Sequence, residues 1–106
     1  MLKRTTNREP SLPGQILHQL YLKRGGITIK AFAEAVGVTP KHMSNIIHGK
    51  SRIEAELATR MAMVLGTTAE LWLNLQNELD LYHAQQKIRN WRPKQIFDSS
   101  QFDARV

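Results

Sequence analysis

Between Ile29 and His48 the chain reads I-K-A-F-A-E-A-V-G-V-T-P-K-H-M-S-N-I-I-H, an order that few architectures accommodate. Ile29 to Val36 places apolar residues at helical spacing. Gly37 interrupts them where a sharp turn between two helices needs positive φ at low steric cost. Thr39 offers a side-chain oxygen as N-cap, and Pro40 takes the first helical position, where its missing N–H costs nothing. Phe32, Val36, Val38, Met43 and Ile46 form a buried side, and Ala33 is small enough for two helices to cross closely. The second helix turns Met43, Ile46 and Ile47 inward. Lys41, His42, Ser44, Asn45 and His48 are left on an outward face of donors and acceptors.

Two short helices around a glycine turn, the second exposing short polar side chains, fit a helix-turn-helix whose second helix enters the DNA major groove. An ordinary helical hairpin with a solvated face is the plain alternative. The joint spacing of Ala33, Gly37 and Thr39-Pro40 weighs against it. Thr28 caps the first helix of the pair; at the N-terminus of a helix crossing the DNA backbone, its hydroxyl suits either capping alone or a phosphate. Lys30 follows within one turn. After the second helix, Gly49 is a stop signal, and Lys50, Ser51 and Arg52 make a short basic loop that favours backbone phosphates.

Charge follows the same division. The net +6 divides into +2 over Met1 to Pro13, +5 over Gly14 to Ile53, −4 over Glu54 to Gln86 and +3 over Lys87 to Val106. A phosphate-facing side and a separate acidic side are implied. At 106 residues the chain is one domain's worth, with 42% hydrophobic and 23% charged residues as in ordinary soluble proteins. No apolar run nears the roughly 20 residues of a membrane span, and there is no secretion signal, so no membrane association and a cytoplasmic location are expected. The absence of cysteine removes disulfides and thiolate metal sites and fits a reducing compartment. Four scattered histidines assemble no nucleophile–base pair. His42 and His48 are six apart, unlike the i, i+4 pair of a zinc site, so neither an enzyme nor a metal or other cofactor is expected.

Around the motif, an arm over 1–12 lacks periodicity; its Lys3, Arg4 and Arg8 suit phosphates or a partner protein. A domain over 13–86 begins with a helix from Pro13 to about Arg24, with Ile16, Leu17 and Leu20 on one face and Gly25-Gly26 as its end. A fourth helix spans Ala55 to Leu65, packing through Leu57, Ala58, Met61, Ala62 and Leu65. Thr67 and Glu70 make a capping box for a fifth, Thr68 to about Gln86. Its Leu71, Trp72, Leu73, Leu75, Leu79, Leu81 and Tyr82 cover more of the circumference than one packed side hides. A homodimer interface built from Leu71, Trp72, Leu75, Leu79 and Tyr82 is therefore expected. The tail over 87–106 loses the helical period at Pro93. Its Trp91, Ile96, Phe97 and Phe102 call for docking on the domain, a sister subunit or a partner, with a short strand around Gln95 to Asp98.

Four pieces carry a resemblance: P-G-Q-I-L at Pro13 to Leu17, F-A-E-A-V-G-V-T-P at Phe32 to Pro40, I-I-H-G-K-S at Ile46 to Ser51, and L-G-T-T-A-E-L-W-L-N-L-Q at Leu65 to Gln76. Together they resemble the xenobiotic-response-element-type helix-turn-helix repressors, and the last resembles the HigA-type antitoxins in particular. The resemblance implies an all-α, five-helix, lambda-repressor-like domain that dimerises, binds a palindromic double-stranded operator in its own promoter, and neutralises an RNA-cleaving RelE-like toxin. It puts the base-reading positions on Lys41, His42 and Asn45 and the phosphate positions on Thr28, Thr39, Lys50 and Arg52. Ile53-Glu54-Ala55 departs from the family's Thr-Pro start to the fourth helix. A stand-alone phage- or plasmid-type repressor without a toxin, or a helical adaptor without DNA binding, stays open beside this reading.

Overall fold

Pro13 opens the first helix at its N1 position. The segment is α-helical over Pro13–Ile16, widens to a π-helix over Leu17–Leu22 and tightens again over Lys23–Gly25; together these form α1. The structure, a computed structural model, describes residues 8–102; Lys3 and Arg4 of the arm lie outside them. The π stretch changes the phase of the helix. Periodicity groups Leu20 with Ile16 and Leu17, whereas the wider turn brings Leu22, five positions after Leu17, into the core and leaves Leu20 49% exposed.

Gly26 ends α1 at φ 66°, and Thr28 starts α2, Ile29–Val36. Gly37 at φ 81° makes the turn, its N–H donating to Ala33 O, and α3 runs over Pro40–Ile47. Then come α4, Ala55–Leu65, and α5, Ala69–Lys87. Five helices and no strand occur among the described residues. The stretch expected as a short strand forms no ladder, and leads through Asp98 into a 3₁₀ turn, Ser99–Gln101.

All five helices and the loop residue Ile53 feed one core: Leu17, Leu22, Phe32, Ala33, Val36, Met43, Ile46, Ile47, Ile53, Ala58, Met61 and Trp72. Each large side chain buried there contributes roughly 1.5–3 kcal/mol. Helices α2 and α3 pack on one another, α1 lies on α3 and α5, and α4 joins α2 to α5. The closest approach is at Gly14. A Cβ there would stand 1.9 Å from the Ile46 carbonyl oxygen and 2.6 Å from Ile47 Cα. The start of α1 thus rests directly on the α3 backbone, and no side chain fits between.

Two expectations about α5 change. Its N-cap is Thr68, whose Oγ1 accepts from Leu71 N at 3.1 Å; Thr67 Oγ1 instead accepts the Trp72 indole N–H at 2.8 Å. Trp72 is fully buried, edge-on to Tyr21 with ring centroids 5.2 Å apart. It has no surface for a second chain, and Leu79 keeps only 7%. The reason is that α5 is packed by both α4 and α1, so more than one of its sides is hidden within the chain. Leu71 and Leu75 lean half-buried on the same core, and Tyr82 is half-buried. The start of α4 carries no side-chain cap at Glu54, in keeping with the missing Thr-Pro.

Candidate nucleic-acid interface

Helix α3 places Lys41, Ser44, Asn45 and His48 at offsets of three, four and seven, one above another on the face opposite Met43, Ile46 and Ile47. Lys41 and His48 are exposed, Ser44 and Asn45 half-buried. Among the described residues Lys41 forms no ion pair and the Asn45 side-chain amide no hydrogen bond, so both keep their donors, and Asn45 its acceptor, for a ligand. His48 Nδ1 lies 2.8 Å from Ser44 O. A carbonyl only accepts, so Nδ1 is the donor and Nε2 takes no part in that bond. His42 is exposed but stands off this row, lining a shallow hollow with Val38, Leu57 and Arg60.

Both helices of the motif begin on a threonine. Thr28 Oγ1 accepts from Ala31 N and Thr39 Oγ1 from His42 N, each at 3.0 Å. Capping engages only the acceptor side of a hydroxyl, so each O–H is still able to donate to a phosphate. Beside them the exposed Lys30 extends the basic surface. Gly49, at φ 80°, closes α3, with Lys50 N donating to Asn45 O at 2.7 Å and Ser51 N to the same carbonyl at 3.2 Å. The Lys50 loop is therefore fixed to the backbone of a residue on the reading face. Over Gly14 to Ile53 the only acidic residue is Glu34, against six lysines and arginines.

Arg52 departs from the sequence expectation. Its guanidinium forks onto Asp80 of α5, Nη1 to Oδ1 at 3.0 Å and Nη2 to Oδ2 at 2.6 Å, while Nε meets Glu54 at 3.3 Å. Three of its five N–H groups face carboxylates within the chain, so its place is in holding the loop to α5 rather than among free phosphate contacts. The hydrogen bond from Arg52 holds the Asp80 carboxyl below the usual carboxylate range. Partial burial opposes the shift, and Gln76 assists it.

Two positioning residues escape the sequence reading. Gln76, buried, accepts from Ile53 N at 2.9 Å through Oε1 and donates to Asp80 Oδ1 at 3.1 Å through Nε2. Its signal was a polar residue four after Trp72 and three before Leu79, on an otherwise apolar stripe. Arg60 of α4 donates through Nη1 to Val36 O at 3.1 Å and Gly37 O at 3.4 Å, and through Nη2 to Glu56 at 2.8 Å. It caps the C-terminal carbonyls of α2 at the turn of the motif. Only its charge and its position on the outer side of α4 were visible.

A chain with this bundle and this polar second helix is a helix-turn-helix protein, and residues 19–72 match the helix-turn-helix family. It belongs to that family, in its branch of HigA-type antitoxins, a group of DNA-binding regulators and not of enzymes. It is 40% identical to antitoxin HigA-1 of Vibrio cholerae over 86 residues, 81% of either chain. The solved structure of antitoxin GraA in complex with its operator superposes with a TM-score of 0.76 at 33% identity, over 92% of this chain and all of that one. Pseudomonas aeruginosa antitoxin HigA with the higBA promoter superposes at 0.75 and 28% identity, over 83% and 100%. Among the described residues no helix is long and apolar enough to cross a membrane, and no cluster of three metal-ligating side chains occurs.

Proposed function

We propose that the chain is the antitoxin of a toxin–antitoxin pair: a homodimer that occupies a palindromic operator in its own promoter and neutralises an RNA-cleaving toxin of the RelE-like class. The observation that carries the DNA part is the α3 row of Lys41, Asn45 and His48, with Lys41 and the Asn45 amide unengaged, on the second of two threonine-capped helices. The likeness to antitoxins solved with an operator and with a promoter supports it. In a dimer two such helices enter successive major grooves about 34 Å apart. Lys41 donates to guanine O6 or N7. Asn45 pairs with the N6–N7 edge of adenine, and each contact discriminates by roughly 1–3 kcal/mol. Thr28, Thr39, Lys30 and Lys50 hold the backbone, and repression follows from occlusion of the promoter.

The test is a pair of substitutions read by quantitative gel shift across salt concentrations. Asn45→Ala relaxes preference at one base position, whereas Lys50→Ala weakens all sequences alike and lowers the salt slope by about one ion. Operator binding untouched by both would remove α3 from the groove. The toxin part is tested separately, by co-purification with the product of the adjacent gene and inhibition of that product's RNA cleavage. A chain that binds its operator and retains no such product is a stand-alone repressor.

A further inference from the structure

The tail is locally folded, and its large apolar side chains keep more than half of their surface in solvent. Arg92 Nη1 donates to the carbonyls of Arg89 and Trp91 at 3.0 and 2.8 Å. Asp98 Oδ1 accepts from Ser100 N, and Gln101 Oε1 accepts from Asp98 N, closing the 3₁₀ turn. Along this ordered strip Ile88, Trp91, Ile96, Phe97 and Phe102 are all exposed, from 52% at Ile88 to 81% at Ile96. Leu81, seven residues before Ile88 on α5, continues the apolar row at 51%. Basic residues Lys87, Arg89, Arg92 and Lys94 are interleaved with it, all exposed. A strip of exposed aromatic and arginine side chains has the composition of an interface core.

We infer that the strip is covered by a second copy of this chain: each tail crosses to the acidic α4–α5 side of its sister, reciprocally about a two-fold axis. The inference rests on the homodimer proposed above and adds where the two chains meet. Charge complementarity selects the occupant. Arg52 to Gln86 carries Glu54, Glu56, Glu70, Glu78 and Asp80 against Arg52 and Arg60, which pair with Glu54, Asp80 and Glu56, and the net −3 of that stretch faces a tail of net +3. The same segment also offers exposed apolar groups, Met63 at 81% and Val64 at 42%, and a thioether beside an aromatic ring is a favourable pair. Operator DNA would satisfy the basic residues but leave five large apolar side chains in water. The area is also of the right order. Three aromatics bury roughly 150–250 Å² each when wholly covered, and a little over half of that is still exposed on each, so with Leu81, Ile88 and Ile96 one tail brings most of the ~800 Å² per partner of a stable interface. Reciprocal exchange follows from symmetry, since one patch must serve as donor and acceptor on both copies.

The chain has no cysteine, so a single Ile96→Cys carries a photo-cross-linker without background labelling. Isotopically heavy and light copies of the full chain are mixed, cross-linked with and without operator DNA, and mapped by mass spectrometry. Sedimentation equilibrium compares the parent with Trp91→Ala/Phe97→Ser, changes on exposed side chains that leave the core alone. The expected result is heavy–light cross-links into residues 54–86, and self-association weakened by at least about tenfold in the double variant. A dimer indifferent to the variant, with cross-links confined to one copy, overturns the tail exchange and spares the homodimer. Cross-links to operator DNA alone make the tail a DNA contact and overturn it too. A chain monomeric at every concentration overturns both readings together.

Discussion

Gly14 is the residue on which the orientation of the reading helix most directly depends. Its place is dictated by the carbonyl of Ile46, against which even a methyl group collides, and backbone cannot yield as a flexible side chain would. Gly14→Ala therefore pushes α1 off α3 and costs about 2 kcal/mol or more by chemical denaturation, at the upper end for overpacking. Operator affinity falls further than that loss alone implies, because α3 tilts. Asp80 gives a pH-dependent counterpart. A carboxyl whose folded pKa is depressed adds stability that is fully present above its unfolded value, about 4, and is lost as the pH falls through the lowered folded value. Arg52 stays charged throughout, and with its side chain 51% exposed and that of Asp80 35%, solvent screens the pair. Asp80→Asn should cost about 1 kcal/mol or less. That gap between parent and variant should hold from about pH 5 to 8 and close below about pH 4, in urea titrations at each pH.

The helices were readable where their signals are local. Thr28, Gly37, Thr39-Pro40 and Gly66 mark ends by chemistry confined to a few residues, and the structure begins and stops its helices at those marks. The π turn in α1 was not readable, because a change of helical period is set by what the helix packs on and the sequence around Leu17 to Leu22 contains no breaker. Nor were the partners of Arg52 and Gln76. Asp80 lies 28 residues after Arg52, and Ile53 lies 23 before Gln76, so the network exists only once α5 has folded back beside the loop. A basic loop next to a reading helix looks the same in sequence whether its arginine faces phosphate or carboxylate. Arg60 belongs with these. It ties α4 to the end of α2 across 24 residues, and Arg60→Ala strips a donor from the Val36 and Gly37 carbonyls. The expected loss is about 1–2 kcal/mol, as for other helix caps and charged hydrogen bonds. Hydrogen exchange should rise at Gly37, Val38 and Thr39 while α5 stays protected, and uniform loss of protection would deny the clamp.

Across the molecule, charge and shape separate two tasks. Outside the arm and the tail, the basic residues gather between Lys23 and Arg52, from the end of α1 to the loop after α3, most of the acidic ones lie between Glu54 and Asp80, and the tail leads away from the bundle. The radius of gyration is 17.6 Å and the longest extent 53 Å, where a compact domain of this length would have a radius of gyration near 13 Å. If the tail joins two copies, it governs how strongly the reading helices act together without touching a base. Trp91→Ala/Phe97→Ser should then weaken binding to a full palindrome by about tenfold or more while leaving a single half-site almost unchanged, since one domain contacts one half-site in either case. Base preference within the half-site, set by Lys41 and Asn45, should not move. Titrating both DNAs in parallel separates the alternatives. Equal losses on the two would mean that the tail touches DNA directly, and a shifted base preference would mean that its removal disturbs α3.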